Sequence, residues 1–193
     1  MVESVLVKVT PIIILIITNI FLIATKSHRL AMEEEKLQGD ARFAMESMAR
    51  EVRMDLIDYD YYADNDNGLV DQPEETLALE DVVNNEQIIF KKASDDNCPD
   101  EASRPCLQIG NGLGSWQSIT PAGVKLIHLD FYIAPATDPF ALDQTTHPWQ
   151  YGPNVQPRVT IVFATQTTAP LPGDTMPNVI YLQTTATSRV YRR

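Results

Sequence analysis

The sequence predicts an α+β fold in which one long N-terminal α-helix packs on an antiparallel β-sheet head. Two observations predict the helix. The first 25 residues carry charge only at Glu3 and Lys8, and apolar residues then continue at helical spacing as far as Ile57. A third observation predicts the head. Beyond residue 75, apolar residues alternate in short segments separated by Pro and Gly clusters, which is typical of strands.

Residues 1–25 are predicted to be a transmembrane or filament-core helix. Residues 9–25 contain no charged side chain, and a bilayer span needs about 20 largely apolar residues. A secretory signal peptide has a shorter apolar core and a small-residue cleavage site, and no such site follows this segment. The pattern therefore indicates a retained membrane anchor.

Residues 26–57 are predicted to continue the same helix with one apolar stripe. The spacing of three, four or seven residues is that of an amphipathic helix. The continuous helix over residues 2–57 would be about 80 Å long, with Pro11 and Gly39 as the expected kink positions. The stripe consists of Leu30, Leu37, Ala41, Ala44, Met48 and Val52.

Residues 58–193 are predicted to form the globular head, which begins with an acidic, turn-rich loop at residues 58–75. The two longest strands are expected to be central and half-buried, and residues 134–157, with four prolines, to form a surface loop. The glycines at 110–114 indicate a hairpin turn. The predicted strands are 76–82, 87–92, 106–109, 124–134, 158–167 and 179–190.

Charge distribution disfavours nucleic acid as a partner. Residues 1–53 contain equal numbers of basic and acidic side chains. The net charge of −11 therefore belongs to residues 54–193, which contain 8 basic and 19 acidic residues. Such a head repels nucleic acid unless basic residues cluster. We see no cluster before the terminal arginine pair.

The two cysteines, Cys98 and Cys106, are expected to form one disulfide, because a membrane anchor implies export. Closing so short a loop contributes about 2.5 kcal/mol in the chain-entropy picture. Two free thiols are the alternative. The spacing excludes a CxxC metal or redox site.

A calcium site is a second option for the acidic loop. Asp64, Asp66, Asp71 and Glu74 resemble a calcium loop with a glycine turn, since calcium takes several oxygen ligands. One position is missing from the pattern, so a solvated acidic turn is the interpretation we favour. No other cofactor is expected.

No catalytic motif is found, and we expect no enzymatic activity. The three histidines are scattered, and no zinc, nucleophile-elbow or phosphate-loop pattern occurs. The aromatic residues are expected to be packing residues, with exposed contacts as the alternative. They are Tyr59, Tyr61, Tyr62, Trp116 and Trp149.

Several segments resemble the type IV pilin superfamily. MVESVLV is similar to the start of that family's mature chains, where a glutamate interrupts an apolar run, and the helix pattern from Ala41 to Arg53 is also similar. SITPAGVKLIHLDFYI, QPRVTIVF and LQTTATSRVYRR resemble the heads of minor pilins of the J or W type. Glu3 lies closer to the start than the family's glutamate, which we interpret as a processed or truncated chain.

The resemblance implies a structural subunit of a pilus or pseudopilus, major or minor. Glu3 would neutralise the N-terminal amine of a neighbouring subunit, and Lys8 would be a second assembly residue. In the alternative, both side chains lie at the membrane interface and extend to the lipid headgroups. Implied partners are copies of itself or other pilin-like subunits, the inner-membrane assembly platform and a prepilin peptidase. The implied location is the cytoplasmic membrane, then an extracellular filament or periplasmic pseudopilus. Other interpretations are a membrane-anchored binding module and an adhesin or calcium-dependent tip.

Overall fold

The computed structural model describes most of the chain outside several head loops. The described residues are 2–62, 70, 72–93, 98, 104–111, 114–121, 124–141, 155–167 and 177–190. Within the N-terminal helix, side chains are described from residue 11 onward, except residue 12.

Helix α1 spans Val2–Met54, and neither Pro11 nor Gly39 ends it. Its 53 residues correspond to a length of about 80 Å. It stops three residues before the predicted end at Ile57, because the buried Leu56 and Ile57 leave the helix to pair in a sheet as strand β1 (Leu56–Ile57).

A five-stranded antiparallel sheet follows, with the strands in chain order. The predicted strands at 76, 87 and 106 are all present, with ends shifted by up to two residues. Two strands of two and three residues, β1 and β5 (Trp116–Ser118), were not predicted, because they are too short to show alternation. The elements after β1 are α2 (Tyr59–Tyr62), β2 (Thr76–Glu80), β3 (Gln87–Ala93), β4 (Cys106–Asn111) and β5 (Trp116–Ser118).

The turn between β4 and β5 is the hairpin predicted at residues 110–114. The two strands pair antiparallel, and the Gly114 N–H donates to the Asn111 carbonyl at 3.0 Å. Gly114 has a φ of +92°, a conformation that glycine adopts without steric cost.

A second antiparallel sheet contains β6 (Val124–Ala134), β7 (Arg158–Thr167) and β8 (Val179–Thr187) in that order. The prediction of two central strands is right for β7 and wrong for β6, which lies at the edge of this sheet. β8 ends three residues before the predicted end. The Ser188 N–H still donates to the Pro157 carbonyl, but Pro157 has no N–H to donate in return.

One hydrophobic core joins the helix to both sheets. The second half of α1 packs chiefly on β7 and β8. Met48 and Val52 of the helix are fully buried in the same cluster as Phe90 of β3 and Phe163 of β7. Burying side chains of this size contributes about 1.5–3 kcal/mol each. The predicted α+β fold, a long helix on antiparallel sheets, is confirmed.

Candidate functional site

The N-terminal half of α1 presents a continuous apolar surface. The large apolar side chains described between Ile13 and Ile23 are 50–68% exposed. None of the apolar window of this helix is buried against the rest of the chain. The helix is long and apolar enough to cross a membrane. Contiguous apolar area of this kind is costly to hydrate.

The two predicted assembly residues lie on this helix, with side chains outside the described part of the structure. Glu3 and Lys8 belong to the regular helix that starts at Val2. Their pairing and their assembly role therefore remain predictions.

The C-terminal half of α1 has two different faces. Its inner face is buried on the head and includes Ala41, Ala44 and Met48, all at most 1% exposed. Its outer face points away from the sheets and carries Phe43, which is 65% exposed. The head thus covers one side of the helix and leaves the other open.

The helix end is held by the C-terminal segment of the chain. The Ser188 hydroxyl donates to the Asp55 carbonyl at 2.9 Å, and this bond is buried. The Arg189 N–H donates to the Arg53 carbonyl at 3.2 Å. Because carbonyls at a helix C-terminus lack intrahelical partners, these bonds satisfy them and join the helix end to the segment after β8.

A buried carboxyl lies at the same end of the helix and was not predicted from the sequence. Asp55 is 5% exposed, and its Oδ2 atom has no hydrogen-bond partner. Burial, together with the neighbouring charges of Glu51 and Asp81, raises the pKa of Asp55 to about 6. The sequence signal that could have indicated this carboxyl is an acidic residue directly after a helix and between two apolar residues. The negative end of the helix dipole also disfavours its charge.

The predicted calcium ligands are divided by the limits of the described chain. Asp64, Asp66 and Asp71 lie outside the described residues. Glu74 is a described residue, and its backbone pairs with Phe131 on the side of β6 that faces away from β7. Among the described residues no group of three acidic, histidine or cysteine side chains is arranged to hold a metal. The calcium alternative stays a prediction.

Cys98 and Cys106 form a disulfide, with their Cα atoms 6.0 Å apart. Beside it, the Arg104 side chain is 3% exposed. Its Nη1 atom donates to the carbonyls of Pro121 and Val124 at 2.7 and 2.9 Å. The guanidinium therefore holds the turn before β6 against the start of β4, a role that no sequence motif signals.

The aromatic residues of the head are mainly packing residues. Tyr62 is 3% exposed, and its hydroxyl accepts from the Ala78 N–H and donates to the Thr76 carbonyl. Tyr59 lines a cleft of about 240 Å³ with Asp138. Burial raises the pKa of both tyrosines above its ordinary value, so their hydroxyls stay neutral.

The other aromatic residues singled out in the sequence, and the histidines, lie on different elements wherever the structure describes them. Trp116 is half-buried with Lys91 stacked 3.5 Å above its ring, while Tyr61 is 41% exposed. His128 and Asp130 are paired at 2.7 Å on β6, and His28 is exposed on the helix. The other predicted aromatic, Trp149, and the third histidine, His147, lie outside the described residues.

Fold and site together define a class of protein: an α+β head carried on a long helix that is able to cross a membrane. Comparison of the chain with protein-family models, curated proteins and solved structures gives no match in any of the three.

Proposed function

We propose that this chain is a structural subunit of a type IV pilus-like filament, assembled through its N-terminal helix. The observation that carries the proposal is the division of α1 into two parts. The first part exposes apolar side chains all round, and the second is buried on one face only. A simple membrane anchor needs the first part and has no use for a rigid helical extension built into the head.

The physical argument concerns the transfer of the helix from lipid to a filament core. Lipid tails and apolar helix surfaces are similarly apolar, so exchanging one for the other costs little and helix packing supplies the gain. The subunit must keep its orientation during this transfer. The buried inner face of α1 and the bonds from Ser188 and Arg189 to its last turn support this by fixing the helix in the head.

The proposal extends to location and partners. The helix is stored in the cytoplasmic membrane, and the assembled filament is extracellular or a periplasmic pseudopilus. Partners are copies of this chain or other pilin-like subunits, the assembly platform and a prepilin peptidase. Glu3 pairs with the amine of a neighbouring subunit, because an ionised group in an apolar bundle must be neutralised. The function requires no catalytic activity and no cofactor.

The test is filament yield and helical cryo-EM of material sheared from cells that express the chain. Glu3→Ala is expected to remove the filaments while the head stays folded. Glu33→Ala is the matched control, since it removes an exposed glutamate from the same helix beyond the apolar segment. It should leave the yield unchanged.

The result also separates the other interpretations. Density that fits this chain as the repeating unit identifies a major subunit, whereas its detection at filament ends identifies a minor one. If the chain stays in the membrane and never enters a filament, the proposal is wrong. An anchored binding module is then the better interpretation.

A further inference from the structure

The outer face of the second half of α1 carries one straight stripe of residues. Met32, Gly39, Phe43, Arg50 and Met54 follow each other at steps of seven, four, seven and four. At 3.6 residues per turn these positions stay within about 40° of one line. The buried residues centred on Ala41 and Met48 lie on the opposite side. The stripe is therefore directed away from its own head.

Two residues on this stripe are unexplained by the fold of a single chain. Phe43 is 65% exposed, although an aromatic side chain contributes most to stability when it is buried. At Gly39, an added Cβ would meet nothing within 4 Å. A glycine in a helix interior destabilises the helix relative to alanine. Because the space around Gly39 is open, packing within its own head does not require a glycine at this position. A bare backbone beside an exposed ring allows close approach of another surface.

The charges around the stripe indicate the partner. From residue 36 to residue 54 the exposed charged residues are four cations and one anion, while Asp40 and Glu51 are half-buried and Glu51 pairs with Arg50 at 3.0 Å. The head, in contrast, carries the whole net charge of −11. The basic frame around Phe43 thus complements the acidic surface of another head. The frame consists of Lys36, Arg42, Arg50 and Arg53, and the anion is Glu46.

A lipid surface is the weaker candidate for the same face. Phe43 lies 18 residues beyond Thr25, the end of the apolar segment, which is about 27 Å along the helix. The exposed glutamates 33–35 lie between the two, and they repel anionic headgroups.

We propose that the face formed by Gly39, Phe43 and this basic frame docks onto the acidic head of a second copy of the chain. The inference rests on the proposed function and deepens it, because it names the lateral contact between neighbouring subunits. Phe43 supplies the apolar centre of the contact and Gly39 the close approach. The cations orient the two copies.

The experiment places a photo-crosslinking phenylalanine derivative at position 43 of the full chain in cells. A cross-linked dimer of twice 21.6 kDa is expected, with the partner peptide mapping to residues 54–193. The double variant Arg42→Glu and Arg53→Glu, at exposed cations of the frame, should lower the dimer yield about tenfold, as two lost charge pairs predict. The same probe at Gln38, which is exposed on the same helix but away from the stripe, measures background collisions.

Filament yield from the same cells separates this proposal from the proposed function. Filaments with a position-43 dimer that responds to charge reversal support both. Filaments without a dimer above the Gln38 background overturn the lateral contact alone. A charge-sensitive dimer in the membrane without filaments supports the contact and overturns the filament. Absence of both overturns both.

Discussion

Replacing Asp55 by asparagine is expected to stabilise the protein at neutral pH. The folded state holds this carboxyl at 5% exposure, where burial and the charges of Glu51 and Asp81 raise its pKa from 3.8 to about 6. Each unit of difference between the folded and unfolded pKa corresponds to about 1.4 kcal/mol. The charged carboxylate therefore costs the fold about 3 kcal/mol above pH 6.

The sign of the pH dependence follows from the direction of the shift. Between about pH 4 and 6 the folded state binds more protons at Asp55 than the unfolded state does. The contribution of this group to the free energy of unfolding therefore falls as pH rises through that window. Below pH 4 both states are protonated and the cost disappears. Asp55→Asn should gain about 1–3 kcal/mol at pH 7.5 and almost nothing at pH 3.5.

The assay is urea denaturation of the full chain in nonionic detergent, followed by tryptophan fluorescence between pH 3.5 and 7.5. Detergent keeps the apolar half of α1 covered. Asp60→Asn is the control, because Asp60 is exposed and the same substitution there should leave the pH profile unchanged. If Asp55→Asn gives an equal change in stability at pH 3.5 and pH 7.5, the argument from its buried charge is refuted.

Three further substitutions test the head. Gly110→Ala places a Cβ 2.4 Å from the Trp116 ring, and urea denaturation should show a loss of about 1–3 kcal/mol from overpacking; an unchanged midpoint would contradict this. Replacing Cys98 and Cys106 together by serine should lower the free energy of unfolding by about 2.5 kcal/mol, and the wild type under reducing conditions should show the same loss. Tyr62→Phe leaves a buried strand amide without its acceptor and should cost about 1–3 kcal/mol, whereas Tyr61→Phe, at an exposed ring, should cost little.

Periodicity made the helix and the long strands predictable. The inner stripe from Leu37 to Val52 repeats every three or four residues, and burial of that stripe requires a helix. Strands β6 and β7 span the predicted residues. They could be predicted because their alternation of apolar and polar residues continues over many positions. Short strands such as β1 and β5 leave no such pattern, so only their partners in the sheet define them.

Candidate assembly residues were predictable only where the local environment makes them unusual. Glu3 is a charge in an apolar segment, and its cost there is a local property. Arg104 looks ordinary in the sequence, and Asp55 shows only its position between two apolar residues at the end of a helical pattern. Their burial is decided by which segments pack against them, namely the segment at Ser188 for Asp55 and the turn before β6 for Arg104.

The sequence by itself determined the apolar span, the amphipathic continuation of the helix and the antiparallel class of the head, because each depends on spacing between near neighbours. Tertiary structure alone decided the division into two sheets, the edge position of β6 and the outward direction of Phe43. Those features depend on contacts between segments far apart in the chain, such as Ser188 with Asp55. Local periodicity carries no record of which distant segment completes a buried surface.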